Sequence, residues 1–568
     1  MAPLASAEAA LDALLAADWD DRQRRHPIAA SLAGERTYDG EWDDNSAAAL
    51  ADEDAHREAV LRQLAAFDPG ALSERARLNL TLYAGLLRDE REAYALGMPL
   101  FAIDPRHGVH TYAYYAEQLR FAGIVDYDNW QRRLAAFPRA VDQTIALLRE
   151  GIACERMWPR ATMARLLDQL DRLDIEPASS PFFAPLVRVP AGIDGDAERL
   201  RASAHATIAE AVLPALRRLR TFLHDDYLPR ASEIPGLAQL RDGAAIYAHL
   251  TRTLTTTDLS AEQIHRLGLS EVQRIREAME ALAPRTGYTG SLGEVFAQLR
   301  ADPANYCDSP EALLQTYRAI AKRVDPELPP LFRTLPRLPY GVTMIPAALA
   351  PDTTTAYYYP GALDGSRAGL YYVNLYRPDQ RPTYEMMALS LHEAVPGHHL
   401  QIALAQELPN LPAFRRTTLA YTAYVEGWGL YAESLGDEMG LYDDPKAKFG
   451  ALTYEMWRAV RLVVDTGIHA FGWSRERAIA YFLDNAPKAP LDVENEVDRY
   501  ITMPAQALAY KIGELKIREL RARARSALGP RFDVRDFHEV VLGEGALPLD
   551  VLAARVDAWL AENAAPAS

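Results

Sequence analysis

Cysteine is nearly absent from this chain of 568 residues, which contains only Cys154 and Cys307. Two cysteines in so long a chain do not form a disulfide framework, and the sequence has no CxxC pair that would suggest a thiolate metal site. We therefore expect both cysteines to be small packing residues.

The chain also lacks an excess of basic residues. Its 61 lysines and arginines against 78 aspartates and glutamates give a formal net charge of -17. Binding to a phosphate backbone needs a basic face, so this balance argues against a nucleic-acid partner. It does not fix the fold.

Long apolar runs are missing as well. Nowhere does the sequence offer about 20 uncharged apolar residues, the length that crosses a bilayer, so we expect no membrane partner. Residues 1–20 lack the basic segment and the acid-free apolar run of a secretory signal. These absences predict a cytoplasmic protein.

Most of the sequence is typical of helix, and no fixed-period repeat indicates a solenoid. Alanine, leucine, arginine and glutamate dominate, with apolar residues at three- and four-residue spacing. Serines followed three residues later by glutamine or glutamate predict helix starts at Ser260 and Ser291. We predict a mainly α fold with helical N-terminal lobes over 1–335 and a catalytic lobe over 336–568, interleaved around one cleft.

One segment, 340–384, has a different composition, rich in threonine, tyrosine, valine, glycine and proline. The turn residues Asp364 and Gly365 lie between two tyrosine-rich runs, which predicts short strands joined by a loop. A helix is expected from near Thr383. The small sheet would therefore directly precede that helix.

The predicted helix contains "LHEAVPGHHLQ" over 391–401, a cluster that predicts a metal site. In the usual zinc-protease pattern, two histidines lie four residues apart and a glutamate follows the first. Here His392 and His398 lie six apart, which on a regular helix means roughly 240° of rotation and 9 Å of rise. Pro396 and Gly397 between them favour a bulge or widened turn that brings His398 back to the metal side. His399 remains an alternative second ligand, and a plainly broken helix remains an alternative interpretation.

A catalytic zinc needs a third protein ligand and an open position for water. The segment "YVEGWGLYAESLGDEMG" provides Glu426, 28 residues after His398. Glu433, about two turns further along the same face, is a candidate partner for a ligand imidazole, or else a surface carboxylate. We expect one Zn²⁺ per chain, held by His392, His398 and Glu426, with Glu393 as the general base.

The predicted substrate residues are spread over two segments. Tyr500, with Tyr510 next, is the candidate to stabilise an oxyanion, because a neutral phenol still donates a hydrogen bond. Arg499 and Lys511 are candidates to bind a carboxylate, although ion-paired helix residues are an equal alternative. Arg367 and the tyrosines over 357–372 are candidates to line a substrate groove, where an extended peptide could pair with a strand. Packing is the alternative for those tyrosines.

The motifs "HEAVPGHH", "DGSRAGLYYVNL", "EGWGLYAE" and "RYITMPAQALAYKIGELKI" resemble those of the bacterial domain of unknown function 885 family. The resemblance covers most of the chain and is strongest over 360–520. It implies a mostly helical, zincin-like zinc metallopeptidase whose zinc ligands are His392, His398 and Glu426 and whose base is Glu393. The long histidine spacing belongs to the pattern of that family.

Together these features predict a zinc metallopeptidase acting on short peptides. A zinc hydrolase or lyase acting on a non-peptide amide or modified metabolite would use the same site. A binding protein with a vestigial metal site is a second alternative. The sequence does not indicate whether cleavage is terminal or internal, nor the oligomeric state.

Overall fold

The protein is described by a computed structural model that covers residues 2–347, 349–409, 411–417 and 421–564. The fold is mainly α, with 70% helix and 3% strand. Two compact units are formed: the first comprises 1–235, 240–242 and 412–414, and the second comprises 236–239, 243–411 and 415–568. The boundary predicted between residues 335 and 336 falls inside the second unit.

The first unit consists of α-helices joined by loops and by 3-10 and π-helical segments. Its α-helices are α1 (Ala2–Arg25), α2 (Pro27–Ala33), α3 (Ala47–Leu64), α4 (Glu74–Ala95), α5 (Ile124–Ala153), α6 (Arg160–Leu173), α7 (Ala184–Val187), α8 (Asp194–Thr207) and α9 (Leu213–Phe222). The core contains large buried aromatic side chains such as Tyr83, Trp130 and Phe137. None of the predicted site residues belongs to this unit.

The second unit contains every predicted site residue. Before its sheet come α10 (Gly243–Thr255), α11 (Ala261–Leu282), α12 (Leu292–Ala301) and α13 (Pro310–Val324). After it come α14 (Met386–Glu393), α15 (His398–Glu407), α16 (Ala413–Thr417), α17 (Thr422–Leu435), α18 (Pro445–His469), α19 (Arg475–Asn485), α20 (Pro490–Thr502), α21 (Ala509–Leu528), α22 (Val534–Leu542) and α23 (Leu549–Ala564). The first two residues of α16 belong to the first unit. The predicted capping boxes at Ser260 and Ser291 are confirmed at the starts of α11 and α12.

The predicted small sheet is confirmed and has three strands, β1 (Tyr340–Met344), β2 (Ala356–Tyr359) and β3 (Gly369–Val373). Their order is β1-β3-β2, with β3 parallel to β1 and antiparallel to β2. The loop from β2 to β3 contains Gly365, whose φ of +73° suits glycine. The sheet lies immediately before α14, which begins three residues after Thr383.

Among the described residues, no helix is long and apolar enough to cross a membrane.

Candidate metal centre

The predicted bulge between the histidines is a complete break between two helices. Helix α14 ends at Glu393 and α15 begins at His398, and Ala394 (ψ -113°) and Gly397 (ψ -128°) leave the helical conformation. The amide of His399 donates to the carbonyl of Ala394, five residues earlier, which closes a widened turn. A Cβ atom on Gly397 would lie 1.9 Å from the His392 carbonyl oxygen, so only glycine fits this close approach.

This break brings three predicted ligands together. Nε2 of His392 and Nε2 of His398 lie 3.4 Å and 3.2 Å from the same oxygen, Oε2 of Glu426. The imidazole rings are 4.7 Å apart and nearly perpendicular. One ligand atom from each side chain lies within 4.8 Å of the other two, and no other such group of histidine, cysteine or acidic side chains occurs in the described part of the chain. Glu426 comes from α17, which packs against both α14 and α15.

The electrostatics of these side chains fit a divalent cation. Burial alone would lower the pKa of His392, but Glu426 and Glu433 raise it to about 9. Burial would raise the pKa of Glu426, but the two histidines hold it well below its usual range. The site therefore stabilises positive charge beside an ionised carboxylate, and a cation would replace the histidine protons. Two imidazoles and one carboxylate form a donor set typical of catalytic zinc.

The second ring nitrogen of His392 is hydrogen-bonded to Glu433, which the sequence predicted as a partner of a ligand imidazole. Nδ1 of His392 lies 2.8 Å from Oε1 of Glu433, which also pairs with Arg458 at 3.2 Å. If the imidazole donates from Nδ1, the lone pair of Nε2 is directed toward the ligand cluster. The His392 ring also lies against Gly429, where a Cβ atom would be 2.7 Å from the ring. Helix α17 thus carries one predicted ligand and contacts another through Glu433 and Gly429.

Replacing Glu433 with glutamine should lower zinc affinity by about 10- to 100-fold, since the hydrogen-bond partner of a metal-bound histidine typically contributes that much to metal affinity. Glutamine keeps the volume but removes the charge that stabilises the Nδ1 proton and pairs with Arg458. Competition against a zinc chelator measures the effect. Glu438→Gln is the matched control, because Glu438 pairs instead with Arg521. Equal affinity in wild type and Glu433→Gln would exclude this role.

Glu393 ends α14 directly after the ligand His392 and is 8% exposed. Among the described residues, its carboxylate has no hydrogen-bond or ion-pair partner. It is close enough to act electrostatically on His392 and on the buried Tyr371 of β3. An unengaged carboxylate next in sequence to a predicted ligand is available to accept a proton.

Of the two candidate tyrosines, the structure places Tyr510 nearer the ligands. Its ring stacks on the His392 ring with centroids 6.1 Å apart. The Tyr500 hydroxyl instead accepts hydrogen bonds from Trp457 Nε1 at 3.0 Å and Arg461 Nε at 2.9 Å. Burial raises the pKa of Tyr500, so its phenol stays neutral. Tyr510 is therefore the better-positioned donor for an oxyanion.

The predicted cations have different surroundings. Arg499 donates to the Tyr510 hydroxyl at 3.1 Å and to Oε1 of Gln506, whose amide nitrogen lies 3.5 Å from Oε1 of Glu426. Lys511 is 1% exposed and contacts carboxylates at 2.9–3.1 Å, which belong to Glu271, Glu455 and Glu514. Lys511 thus fits the alternative of an ion-paired helix residue.

Arg367 and His399 lie toward the sheet. Arg367 donates to the Pro360 carbonyl at 2.8 Å, and its guanidinium lies over the Tyr359 ring. Nδ1 of His399 is hydrogen-bonded to the Tyr358 hydroxyl at 2.9 Å, and burial lowers the pKa of His399 to about 4. His399 faces β2 rather than the ligand cluster, so geometry favours His398 as the second ligand.

Sequence reasoning missed several residues that shape this site: Gly429, Trp457, Arg458, Arg461 and Gln506. The sequence does contain a sign that the two arginines are buried. Arg458 and Arg461 lie three residues apart in one helix, and the three residues that follow, "LVV", are apolar. Charged groups in an apolar helix are usually paired or functional. The glycine signal was also present, in the "EGWG" that surrounds Trp428.

Comparison with known proteins supports one family. The family model "Bacterial protein of unknown function (DUF885)" matches residues 27–556. No curated protein matches the chain. A crystal structure of a "putative lipoprotein" from Colwellia psychrerythraea is 28% identical, with a TM-score of 0.91, and covers 98% of this chain and 99% of that chain. A "putative lipoprotein of unknown function" from Shewanella oneidensis is 18% identical, with a TM-score of 0.70 and coverage of 97% and 99%, and shows the fold alone.

Proposed function

This chain belongs to the bacterial protein family DUF885, whose function is unknown, and we propose that it is a zinc-dependent metallopeptidase that hydrolyses short peptides. The observation that carries the proposal is the convergence of His392, His398 and Glu426 beside an unengaged Glu393. A cytoplasmic location stays a prediction.

His392, His398 and Glu426 would hold the zinc ion. When bound, zinc lowers the pKa of a coordinated water and polarises the carbonyl of the substrate. Glu433 keeps the His392 ring in its orientation, and the break at Gly397 keeps His398 directed toward Glu426. Other residues of the site would then move the proton of the attacking water and stabilise the negative charge that develops on the substrate oxygen.

Glu393 acts as the general base in this proposal. Its carboxylate takes a proton from the attacking water and delivers it to the nitrogen of the leaving amine. The Tyr510 hydroxyl donates to the oxygen that becomes negatively charged, and the nearby Arg499 keeps that hydroxyl oriented. Tyr500 then supports Tyr510 through Arg461 rather than contacting the substrate.

Burial favours a short peptide as substrate. His392 is 1% exposed and both His398 and Glu393 are 8% exposed. A folded protein cannot bring its backbone to such recessed groups without unfolding a segment, whereas a narrow, flexible chain can enter. The proposal therefore includes short peptides and excludes folded proteins.

A peptide library tests the function directly. Purified protein loaded with zinc should cleave some members, as followed by mass spectrometry, and a chelator should abolish cleavage until zinc is returned. A panel of small non-peptide amides, assayed in parallel, covers the alternative substrate class. Turnover of that panel with no peptide cleavage, or no zinc-dependent hydrolysis at all, would refute the proposal.

A further inference from the structure

Two guanidinium groups behind Tyr510 share a single carboxylate. Nη2 of Arg461 on α18 and Nη1 of Arg499 on α20 lie 3.0 Å and 3.4 Å from the same oxygen, Oε2 of Glu496. Within the described residues, neither arginine has another ion-pair partner. Their side chains are only 3% and 12% exposed. One positive charge is therefore in excess at a place where buried charges are normally balanced.

The other groups around Arg461 are neutral or already engaged. The guanidinium lies over the rings of Trp457, Tyr500 and Tyr510, which compensates part of its charge. Nη1 of Arg461 has no hydrogen-bond partner in the part of the chain that the structure describes. Asp465 accepts hydrogen bonds from the neutral Tyr247 hydroxyl and the Ala505 amide, and burial raises the pKa of Asp465 to about 7, so it carries only part of a negative charge near neutral pH. In the described part of the chain, Glu496 is the carboxylate that lies within ion-pair distance of the two arginines.

Arg499 is the member of the pair closest to the reacting groups. One side chain, Gln506, bridges its guanidinium to the ligand Glu426. Arg499 and Glu426 also keep 12% and 16% of their side chains exposed, whereas Lys511 is enclosed. A ligand that reaches the metal cluster therefore meets the charge of Arg499 next.

We propose that Arg499, with Arg461 behind it, binds the C-terminal carboxylate of the substrate, so that the enzyme removes residues from the C-terminus. This inference rests on the proposed peptidase function. Successive residues of an extended chain are about 3.5 Å apart, so the carboxylate of a residue being cleaved off lies very close to the scissile carbonyl. A guanidinium one side chain away from a metal ligand suits that distance.

The chemistry of the groups supports a carboxylate in particular. A guanidinium forms strong, charge-assisted hydrogen bonds to a carboxylate. The ligand's carboxylate would replace the neutral Gln506 oxygen that Nη2 of Arg499 contacts, and its charge would balance the pair of arginines. Internal cleavage would bring a neutral peptide group to the same place and leave the excess charge uncompensated. The arrangement thus favours an exopeptidase.

Paired peptides test the inference. For a peptide that the enzyme cleaves, the free acid should exceed its C-terminal amide in kcat/KM by about 10- to 100-fold, as expected for hydrogen bonds to a charged group. Arg499→Met should reduce that preference to less than about threefold. Arg499→Lys should retain part of it, because lysine keeps the positive charge but lacks the planar set of donors of a guanidinium. Arg521→Met removes an ion-paired cation on a different helix, α21, and should keep the full preference.

Binding provides a readout that does not need turnover. Zinc-loaded Glu393→Gln protein, titrated calorimetrically, should bind the acid about 10-fold or more tightly than the amide, and the preference should disappear in the double variant with Arg499→Met. Equal binding of acid and amide would overturn the inference even if peptides are hydrolysed. A preference for amides that carry a Glu side chain near the C-terminus, with none for the free terminus, would overturn it too. Acid-selective binding without any hydrolysis would instead refute the peptidase proposal and keep the carboxylate site.

Discussion

Replacing Glu393 with glutamine is expected to lower peptide hydrolysis by about 10²- to 10⁴-fold, the usual contribution of a general base. Glutamine has almost the same volume and cannot accept the proton of the attacking water. Because Glu393 is not one of the converging ligands, zinc content should remain at one per chain. Steady-state kinetics and metal analysis on the same preparation measure both quantities.

Glu407→Gln provides the matched control for that experiment. Glu407 ends α15, the other helix that flanks the break, and pairs with Arg337 at 3.0 Å. A glutamine oxygen can still accept from the backbone amides of Arg337 and Leu338, which Glu407 also contacts. Hydrolysis should therefore stay within about threefold of wild type, since an ion pair to the exposed Arg337 side chain contributes little. If Glu393→Gln turned over peptides as fast as this control, another group would have to be the base.

His398→Ala is expected to lose zinc, with affinity falling by at least about 10³-fold, more than the 10- to 100-fold cost of removing an outer partner. His399→Ala should bind zinc as wild type does. The two residues are neighbours in sequence, but His398 faces Glu426 and His399 faces Tyr358. The pair of variants thus tests the geometry of the break.

Zinc affinity in both variants can be measured by competition against a chromogenic chelator. Loss of affinity only in His399→Ala would show that the other imidazole is the ligand. Circular dichroism separates these outcomes from unfolding, because a helical chain that has lost only its metal keeps its helical signal. A loss of that signal in His398→Ala would call for His398→Gln, which retains volume.

The convergence of His392, His398 and Glu426 could be predicted from the sequence because such a set of residue types is rare, but the backbone conformation between the two histidines could not. A cluster of histidines and carboxylates can be recognised in a sequence without knowing the fold, as it can here for His392, Glu393, His398 and Glu426. The choice between His398 and His399 depends on the backbone dihedrals at Ala394 and Gly397, which no spacing rule specifies.

The substrate residues were harder to predict because their partners come from distant segments. Tyr510 contacts His392 only because α21 packs closely on α17, where Gly513 meets Gly427. The sequence made Lys511 a candidate to bind a carboxylate of the substrate, but Lys511 forms ion pairs with Glu271 of α11 and Glu455 of α18. Periodicity shows which positions are helical, not which helices meet.

X-ray absorption spectroscopy of the wild-type protein with one equivalent of zinc tests the metal centre most directly. We expect nitrogen and oxygen neighbours of the zinc at about 2.0–2.1 Å, including two imidazoles. Any zinc that His392→Ala retains should have one imidazole fewer in its shell. A sulfur neighbour at about 2.3 Å, or failure to retain the zinc, would contradict the assignment of His392, His398 and Glu426.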